Sequence, residues 1–404
     1  MKYLAFALVA FLVSAAPAAA VNLIETPGLA ERVAAGELPA VAERVPEEPL
    51  VVDLAARGRD AGAHGGTMKM FVTRSKDVRY MAAWGCGRLV GYNSSYELTP
   101  DLLRDVAVSD DGRSVTLHLR RGHKWSDGHP FTTEDFRYWW EDVALNPDLA
   151  PSGPPVELLA GGEQPEVEVI DEVTIRYTWS IPNPLFLPAL ARARPLYIYR
   201  PAHYMKRFHA KFADPDELAE KVEKAKAEKW ARLHNRRDNL YKFDNPNLPV
   251  LQPWRNTSKK NSQRYVLVRN PFYHRIDPEG RQLPYIDRVE FEIAAGGLIP
   301  AKVSLGEATL QIRSLGFSDA PVLKKSEKAG GYVTHLWRSG AASEVALYPN
   351  LTYDDPAWRA LFRDAQFRRA LSLAIRRKEI NKVLYFGLAK ERAVGALEES
   401  PFFD

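Results

Sequence analysis

The sequence contains a single cysteine, Cys86, among its 404 residues. A lone cysteine has no intrachain partner, so a hydrophobic core rather than a disulfide must stabilise the fold. A chain of this length can bury such a core, and its length predicts two domains or lobes. After the first 20 residues, no stretch is apolar over the roughly 20 residues that a membrane-spanning helix needs. We therefore expect no stable membrane insertion.

The sequence also has little excess charge of either sign. Its 55 Lys and Arg residues against 51 Asp and Glu residues give a net charge of +4. No basic block of the kind that nucleic-acid binding requires stands out, so we expect no nucleic-acid partner. A nucleophile elbow, an H-E-x-x-H pair, clustered carboxylates and a phosphate-cradling glycine loop are all missing. The sequence accordingly predicts no catalytic residues, no cofactor and no enzyme.

The first 20 residues have the pattern of a secretory signal peptide. Lys2 precedes an apolar run over residues 4–13, and Ala18 and Ala20 form an A-x-A exit. The alternative, a membrane anchor, is too short to cross a hydrocarbon core of about 30 Å. We predict cleavage after Ala20 and a periplasmic protein. Because no cysteine lies near the cleavage point, a lipid anchor is not expected.

The mature chain reads as an N-terminal arm followed by interleaved strands and helices. Residues 21–60, rich in Ala, Glu and Pro, are interpreted as an arm wrapped over the surface, with the folded body starting near residue 65. Alternating apolar positions predict strands near residues 67–72, 114–120, 166–179, 264–269, 289–293 and 345–347. Helical spacing predicts a charged helix over 217–232, an amphipathic helix around 367–374 and another from 378 to a Gly387 cap. The alternation of both element types indicates an α/β architecture.

The best-defined helix start lies at Thr132. Thr132 can cap the amide of Asp135, and Phe131 and Phe136 occupy the two positions of a hydrophobic staple. The helix is predicted to continue through Trp139 and Trp140 and to end before residue 146. Paired tryptophans could line an aromatic cage, but neighbouring helical residues diverge by about 100°, which favours a core position for at least one.

Three segments, in this order, resemble extracytoplasmic solute-binding proteins of family 5, the receptors of dipeptide, oligopeptide and nickel ABC importers. They are L-R-R-G-H-K-W-S-D-G-H-P-F-T-T-E-D-F at 119–136, R-L-V-G-Y with Y-E-L-T-P-D-L-L at 88–103, and F-R-D-A-Q-F-R-R-A-L-S-L-A-I at 362–375. The resemblance covers about residues 65–404. It implies a two-lobed periplasmic-binding-protein type II fold with the extra subdomain of peptide-binding members. Lobe I would span residues 61–293 and lobe II residues 294–404.

The resemblance also implies a function and partners. The chain would capture peptides or a related small solute in a cleft between the lobes and deliver it to ABC transporter permease subunits, as a monomer in the periplasm. An extracytoplasmic hydrolase of peptides or glycans, and a non-functional fragment of a binding protein, are the alternatives. The ligand could equally be an oligosaccharide, an opine or a metal complex.

The chain departs from the family pattern in three places. Arg376 stands where an Asp or Asn is usual, and Thr309 replaces an acidic residue, changes that would alter a helix cap or local contacts. Family members continue well past the segment that matches residues 400–404, so lobe II is expected to be incomplete and C-terminally truncated. The missing part would include an Asp that pairs with a peptide's amino terminus.

By resemblance, six residues are expected to face the ligand: Arg88, Tyr92, Asn183, Phe186, Tyr348 and Asn350. Arg88 would pair with a carboxylate, and Phe186 or Tyr348 would pack on an apolar side chain. For each of them the alternative is that it caps or packs its own lobe.

The 119–136 segment also contains three potential metal ligands. His123, Asp127 and His129 are chemically suited to zinc or nickel. The competing interpretation is a turn, because Asp-Gly followed by Pro130 is loop chemistry ahead of a helix cap. We expect the turn and no metal.

Overall fold

A computed structural model describes residues 21–81, 87–241, 243–337 and 345–392. These form two compact units: unit 1 contains the described residues up to Met68 and Arg74–Phe291, and unit 2 contains Lys69–Thr73 and the described residues from Glu292 onward. The predicted signal peptide and Cys86 lie outside the described residues.

The strands, in chain order, are β1 (Leu50–Val51), β2 (Thr67–Val72), β3 (Val90–Tyr92), β4 (Leu98–Pro100), β5 (Leu103–Val108), β6 (Ser114–Leu119), β7 (Glu166–Asp171), β8 (Thr174–Thr178), β9 (Trp254–Asn256), β10 (Arg264–Arg269), β11 (Arg275–Ile276) and β12 (Arg288–Ile293). The helices are α1 (Ala30–Ala34), α2 (Val41–Arg44), α3 (Thr133–Arg137), α4 (Phe186–Ala191), α5 (Ala202–Met205), α6 (Pro215–Lys224), α7 (Trp230–Arg237), α8 (Ile299–Ser304), α9 (Ala320–Gly330), α10 (Pro356–Arg363), α11 (Ala365–Ala374) and α12 (Arg377–Leu384). Short 3-10 segments link several of them.

Two four-stranded sheets dominate the described residues. One has the order β5-β6-β8-β7 with antiparallel neighbours, and the other has the order β2-β12-β10-β9. In β6, Val115, Leu117 and Leu119 are buried while the residues between them are half-exposed, the alternation that the sequence predicted. The β3–β4 hairpin and the parallel β1–β11 pair complete the strand pairing.

The helix that begins at Thr132 explains how consecutive aromatic residues enter one core. Helix α3 continues as a π-helix over Tyr138–Ala144, and Tyr138, Trp139 and Trp140 are all buried. A π-turn holds more residues per turn than an α-helix and shifts the faces of successive residues. Both tryptophans therefore belong to the core of unit 1, as the core interpretation predicted for at least one.

The N-terminal arm is built into unit 1 rather than laid over its surface. Leu29 and Leu38 pack against Phe272 in a buried cluster. Arg44 is fully buried, donates to the Pro271 carbonyl at 3.1 Å and forms an ion pair with Glu25 at 2.6 Å. Val41 and Val45 of the arm are also buried, in a second cluster with Ile276.

Two predicted elements differ in the structure. The charged helix over 217–232 is broken into α6 and α7, because Lys226 adopts a positive φ of 48° between them. The strand predicted at 345–347 is not formed: these residues have no assigned strand, and Val345 and Leu347 are exposed. An apolar run alone does not specify a strand, because strand formation depends on packing and pairing with other segments.

Unit 2 has a small core of Phe71, Ile299, Val303 and Leu323. Asp355 and Asp364 cap α10 and α11 through their side chains, whereas Arg376, ahead of α12, makes no side-chain cap. Arg376 instead donates from Nη1 to Glu379 at 3.1 Å. Helix α12 ends at Leu384, short of the predicted Gly387 cap. Within the described ranges, no helix combines the length and apolar character that crossing a membrane requires.

Candidate functional site

The 119–136 segment folds as a closed turn. The Trp125 amide donates to the His129 carbonyl at 2.8 Å, and the Phe131 amide donates to the His123 carbonyl at 2.8 Å. Asp127 accepts from the His129 amide at 3.2 Å. The turn interpretation is therefore confirmed for this segment.

Its candidate metal ligands point to different surroundings. His123 is buried, whereas the exposed His129 stacks on His203 with ring centroids 3.8 Å apart. Asp127 is engaged by His203 Nε2 at 2.8 Å. In the described part of the chain, no group of three His, Cys, Asp or Glu side chains is placed to hold a metal ion.

Asp135 joins the turn to the helix that follows it. Its Oδ2 accepts from the Thr132 amide at 3.1 Å and its Oδ1 from the Ala202 amide at 2.9 Å, while the Thr132 hydroxyl accepts from the Glu134 amide at 3.3 Å. Together Thr132 and Asp135 form a capping box, with the staple rings of Phe131 and Phe136 5.6 Å apart. Burial raises the pKa of Asp135 to about 7, although these donors favour the charged form.

A second buried carboxylate, Asp101, holds distant segments of unit 1 together. Its Oδ1 accepts from His274 Nε2 at 2.8 Å and from Arg275 Nε at 2.9 Å. Its Oδ2 accepts from Arg275 Nη2 at 2.5 Å and from the Arg88 amide at 2.9 Å. Arg120 Nε donates to the Asp101 carbonyl at 3.1 Å. Because a carboxylate only accepts, His274 carries its proton on Nε2.

The charges around Asp101 decide its ionisation. Burial by itself would raise the pKa of Asp101, but the Arg275 charge and the His274 hydrogen bond hold that pKa far below its usual range. An ionised carboxylate that accepts four hydrogen bonds and has so low a pKa holds the fold together and does not serve as a general base.

His123 lies beside this cluster without a polar partner. Its ring centroid is 5.1 Å from that of His274 and 5.4 Å from that of Phe131. Neither ring nitrogen has a hydrogen-bond partner among the described residues. Burial, followed by the charges of His274 and Arg120, lowers the pKa of His123 well below its ordinary value. The imidazole is therefore neutral in the folded protein.

The structure brings Arg88 close to the end of α4. The half-buried Arg88 donates from Nε to the Arg192 carbonyl at 3.1 Å and from Nη2 to the Ala193 carbonyl at 3.4 Å. Tyr92, four residues further along, pairs with Leu98 across the β3–β4 hairpin and is 49% exposed. Of the candidates in unit 1, Tyr92 offers the largest accessible surface to a ligand.

Asn183 and Phe186 face the interior of unit 1. Asn183 donates from Nδ2 to the Glu157 carbonyl at 3.1 Å and accepts from the Leu185 amide at 3.1 Å. Phe186 has no exposed surface and packs on Tyr177, with ring centroids 5.0 Å apart. Both positions match the alternative in which these residues cap and pack their own lobe, and neither side chain offers a surface to a solute.

The two candidates in unit 2 are accessible. Tyr348 is 89% exposed. Asn350 is exposed, and its Oδ1 accepts from the Thr352 amide at 3.1 Å and from the Thr352 hydroxyl at 3.0 Å. Asn350 therefore sets a local turn, and most of the Tyr348 side chain is exposed.

The residues that sequence reasoning missed are His274 and Arg275. They reach Asp101 from 173 and 174 positions along the chain. Asp101 belongs to a recognised segment, but no local pattern marks its two partners. Their only sequence signal was an adjacent His-Arg pair at the start of what the structure shows to be β11.

A sequence model of bacterial extracellular solute-binding proteins, family 5 (middle), matches residues 97–404. The chain belongs to this family. The turn at 119–136, its helix cap and the Asp101 segment are thus features of a solute-binding family 5 protein.

Comparison with named relatives agrees. The chain is 27% identical over 395 residues to a periplasmic alpha-galactoside-binding protein of Rhizobium meliloti, with 88% of this chain and 52% of the relative covered. It is 23% identical over 335 residues to a probable ABC transporter-binding protein of Deinococcus radiodurans, with 80% of this chain and 51% of the relative covered. The chain therefore spans about half the length of these curated relatives. Both are named as binding proteins rather than as enzymes.

Solved structures share the fold. An oligopeptide-binding protein OppA superimposes with a TM-score of 0.79 at 34% identity, covering 95% of this chain and 60% of that one. The periplasmic binding protein MelB of Agrobacterium fabrum, solved in complex with stachyose, gives a TM-score of 0.66 at 23% identity, covering 92% of this chain and 56% of that one. The fold is the mixed α/β fold of type II periplasmic binding proteins.

Proposed function

We propose that this chain acts as the substrate-binding component of an ABC importer in the periplasm, capturing a peptide or a related small solute and delivering it to the membrane permease subunits. The observation that carries the proposal is the family match along residues 97–404. The structural likeness to OppA, with a TM-score of 0.79 at 34% identity, supports it.

The solute class is proposed from the relatives. One relative is named for alpha-galactosides and one structural neighbour for oligopeptides. Extended peptides and oligosaccharides both present many hydrogen-bonding groups along a flexible chain. Main-chain hydrogen bonds would hold a peptide with loose side-chain specificity. We place the peptide first, because OppA has the higher structural similarity.

Within this function, Arg88 and Tyr92 are the proposed solute contacts of unit 1, and Tyr348 and Asn350 those of unit 2. Tyr92 and Tyr348 would supply exposed aromatic faces for packing. Arg88 would supply charge for a solute carboxylate. Asn183 and Phe186 would support this surface from inside unit 1, as a bonded cap and a core ring.

Calorimetric titration of the purified chain with trialanine and, separately, with stachyose tests the proposal. We expect saturable binding of one of the two, with no hydrolysis of either. A folded protein that binds neither compound, or that turns one over, would contradict the assignment.

Two hairpin variants test the proposed contact. Tyr92→Ala is expected to weaken binding about tenfold, the loss typical of an aromatic anchor. Tyr96→Asn is the matched control: Tyr96 lies on the same hairpin, is 80% exposed and has a positive φ of 62°, which Asn tolerates. Equal affinities of the two variants for the solute would show that Tyr92 does not contact it.

The proposed compartment has its own test. The mature protein is expected in an osmotic-shock fraction with Val21 as its first residue. N-terminal sequencing that finds Met1 retained would contradict cleavage after Ala20.

A further inference from the structure

A pocket lies wholly within unit 1, and its walls contain none of the proposed solute contacts. Its volume is about 620 Å³, which suits a small molecule. The N-terminal arm, the turn at 124–128 and the loops at 246–249 and 271–272 form its walls, and Arg255 of the edge strand β9 lines it.

Positive charge in this pocket is not balanced by the protein. Arg255 is half-buried, and no carboxylate or hydrogen-bond acceptor contacts its guanidinium among the described residues. Burial and the nearby charge of Arg32 lower the pKa of Arg255. A partly desolvated guanidinium beside a like charge is destabilised until an anion approaches.

The other charged groups of the pocket leave this excess in place. Lys124 also lines the pocket, and its Nζ donates to the Glu43 carbonyl, a neutral acceptor, at 2.5 Å. The pocket's two carboxylates are engaged: Glu37 pairs with Arg32 at 3.2 Å, and Asp127 pairs with His203 at 2.8 Å. Arg255 and Lys124 thus face the pocket without a counter-charge of their own.

Apolar side chains make up much of the remaining lining. They include Leu38, Pro39, Leu248, Pro249 and Phe272. Leu38 and Phe272 are buried and packed together, and the prolines lack backbone donors, so this wall is rigid and offers few hydrogen bonds. A ligand that complements the pocket carries a negative group at one end and hydrocarbon at the other.

We propose that this pocket is a binding site for a small organic anion, whose carboxylate or phosphate group pairs with Arg255 and whose apolar part packs on the proline-rich wall. Arg255 is the specificity-determining contact, and Arg32 and Lys124 raise the local positive potential. The site is separate from the proposed solute contacts, so it does not depend on the proposed function.

Calorimetric titration of the full chain with three probes tests the site. Hexanoate carries the anionic group and the hydrocarbon, hexanamide is its neutral counterpart, and inorganic phosphate is an anion without hydrocarbon. We expect hexanoate to bind at least about tenfold more tightly than hexanamide, since charge-assisted hydrogen bonds contribute that much. Phosphate is expected to bind more weakly than hexanoate.

Variants assign the binding to this pocket. Arg255→Gln is expected to abolish the preference for hexanoate over hexanamide, and Arg255→Lys to retain part of it. Arg113→Gln, at an exposed arginine in the turn between β5 and β6, is the matched control and should bind hexanoate like the wild type. If Arg255→Gln does not fold, Arg32→Gln on the exposed surface of α1 replaces it and should weaken hexanoate binding.

Three results would overturn the proposal or part of it. Wild-type affinity for hexanoate in a folded Arg255→Gln protein would place the binding elsewhere. Equal affinities for hexanoate and hexanamide would show that the positive charge of the pocket does not contribute to binding. Phosphate that binds as tightly as hexanoate would overturn the apolar part of the assignment.

Discussion

The Trp125 indole donates from Nε1 to Oδ2 of Asp135 across 3.0 Å, and both residues are almost fully buried. This bond ties the turn at 124–130 to the first turn of α3. Asp135 therefore serves both as part of a helix cap and as the acceptor for a core tryptophan. Its burial gives the stability of unit 1 a specific dependence on pH.

The first prediction concerns Asp135. Because its folded pKa is raised to about 7, against about 3.9 in an unfolded chain, the native state binds more protons than the unfolded state between these values. Asp135 therefore makes the free energy of unfolding fall as pH rises from about 4 to 7, by up to about 1.4 kcal/mol per pH unit. Asp135→Asn should remove this contribution, as measured by urea unfolding at pH 5, 6 and 7.

The control for Asp135 is Asp148→Asn, at an exposed carboxylate paired with Lys229. This variant should keep the pH profile of the wild type. An unchanged profile in Asp135→Asn would show that another group carries the dependence.

Replacing Asp101 tests the buried cluster. Asp101→Asn leaves Arg275 without its carboxylate and disrupts the hydrogen bond from His274, so unfolding should become easier by about 3–5 kcal/mol. Since the folded pKa is lowered, the contribution of Asp101 is present above pH 4 and is lost as pH falls below it. Chemical denaturation at pH 7 measures the loss.

The matched control for Asp101 is Asp111→Asn. Asp111 accepts from Arg113 at 2.8 Å in an exposed turn, and its loss should change stability little. Equal losses of stability in the two variants would mean that burial does not strengthen the hydrogen bonds and ion pairs of Asp101.

The buried His123 is expected to make the fold less stable in mild acid. With its folded pKa lowered, the unfolded state binds the extra proton below about pH 6.5, so stability falls as pH drops through that value. His123→Phe keeps a planar ring next to Phe131 and removes the titrating group. The melting temperature of the variant minus that of the wild type should therefore be larger at pH 5 than at pH 7.5.

His335→Gln, at an exposed position in unit 2, is the control for His123 and should follow the wild type. Parallel curves for His123→Phe and the wild type between pH 5 and 7.5 would contradict the prediction.

The N-terminal arm is expected to be essential for stability. Arg44→Leu removes the donor to the Pro271 carbonyl and the ion-pair partner of Glu25 within a buried contact, which should cost about 3 kcal/mol. Arg57→Leu, in the exposed part of the arm, should have little effect. Guanidinium denaturation compares the two variants. A similar small loss of stability in both would show that the arm lies on the surface and contributes little to the core.

Local patterns in the sequence were enough to predict β6 and the start of α3. The alternation in β6 and the cap at Thr132 were predicted correctly, because hydrophobic period and capping act within a few residues. The strand predicted at 345–347 was wrong for the complementary reason. A strand depends on a pairing partner, which a local window does not contain.

The same distinction between local pattern and tertiary surroundings applies to the candidate site residues. The sequence singled out Arg88 and Tyr92 through a motif, and these side chains are at least partly accessible. It also proposed Phe186, whose ring the structure places in the core beside Tyr177. Whether a loop aromatic residue faces solvent or the core depends on neighbours that come from other segments.

By itself, the sequence determined the family, through three ordered motifs, and the start of the principal helix, through residues adjacent in the chain. Only the tertiary structure decided the partners of the buried charges. Asp101 meets His274 and Arg275, and Arg44 reaches the Pro271 carbonyl 227 residues away. The reason is physical: a buried charge requires a partner, but its chemistry does not specify from which part of the chain that partner comes.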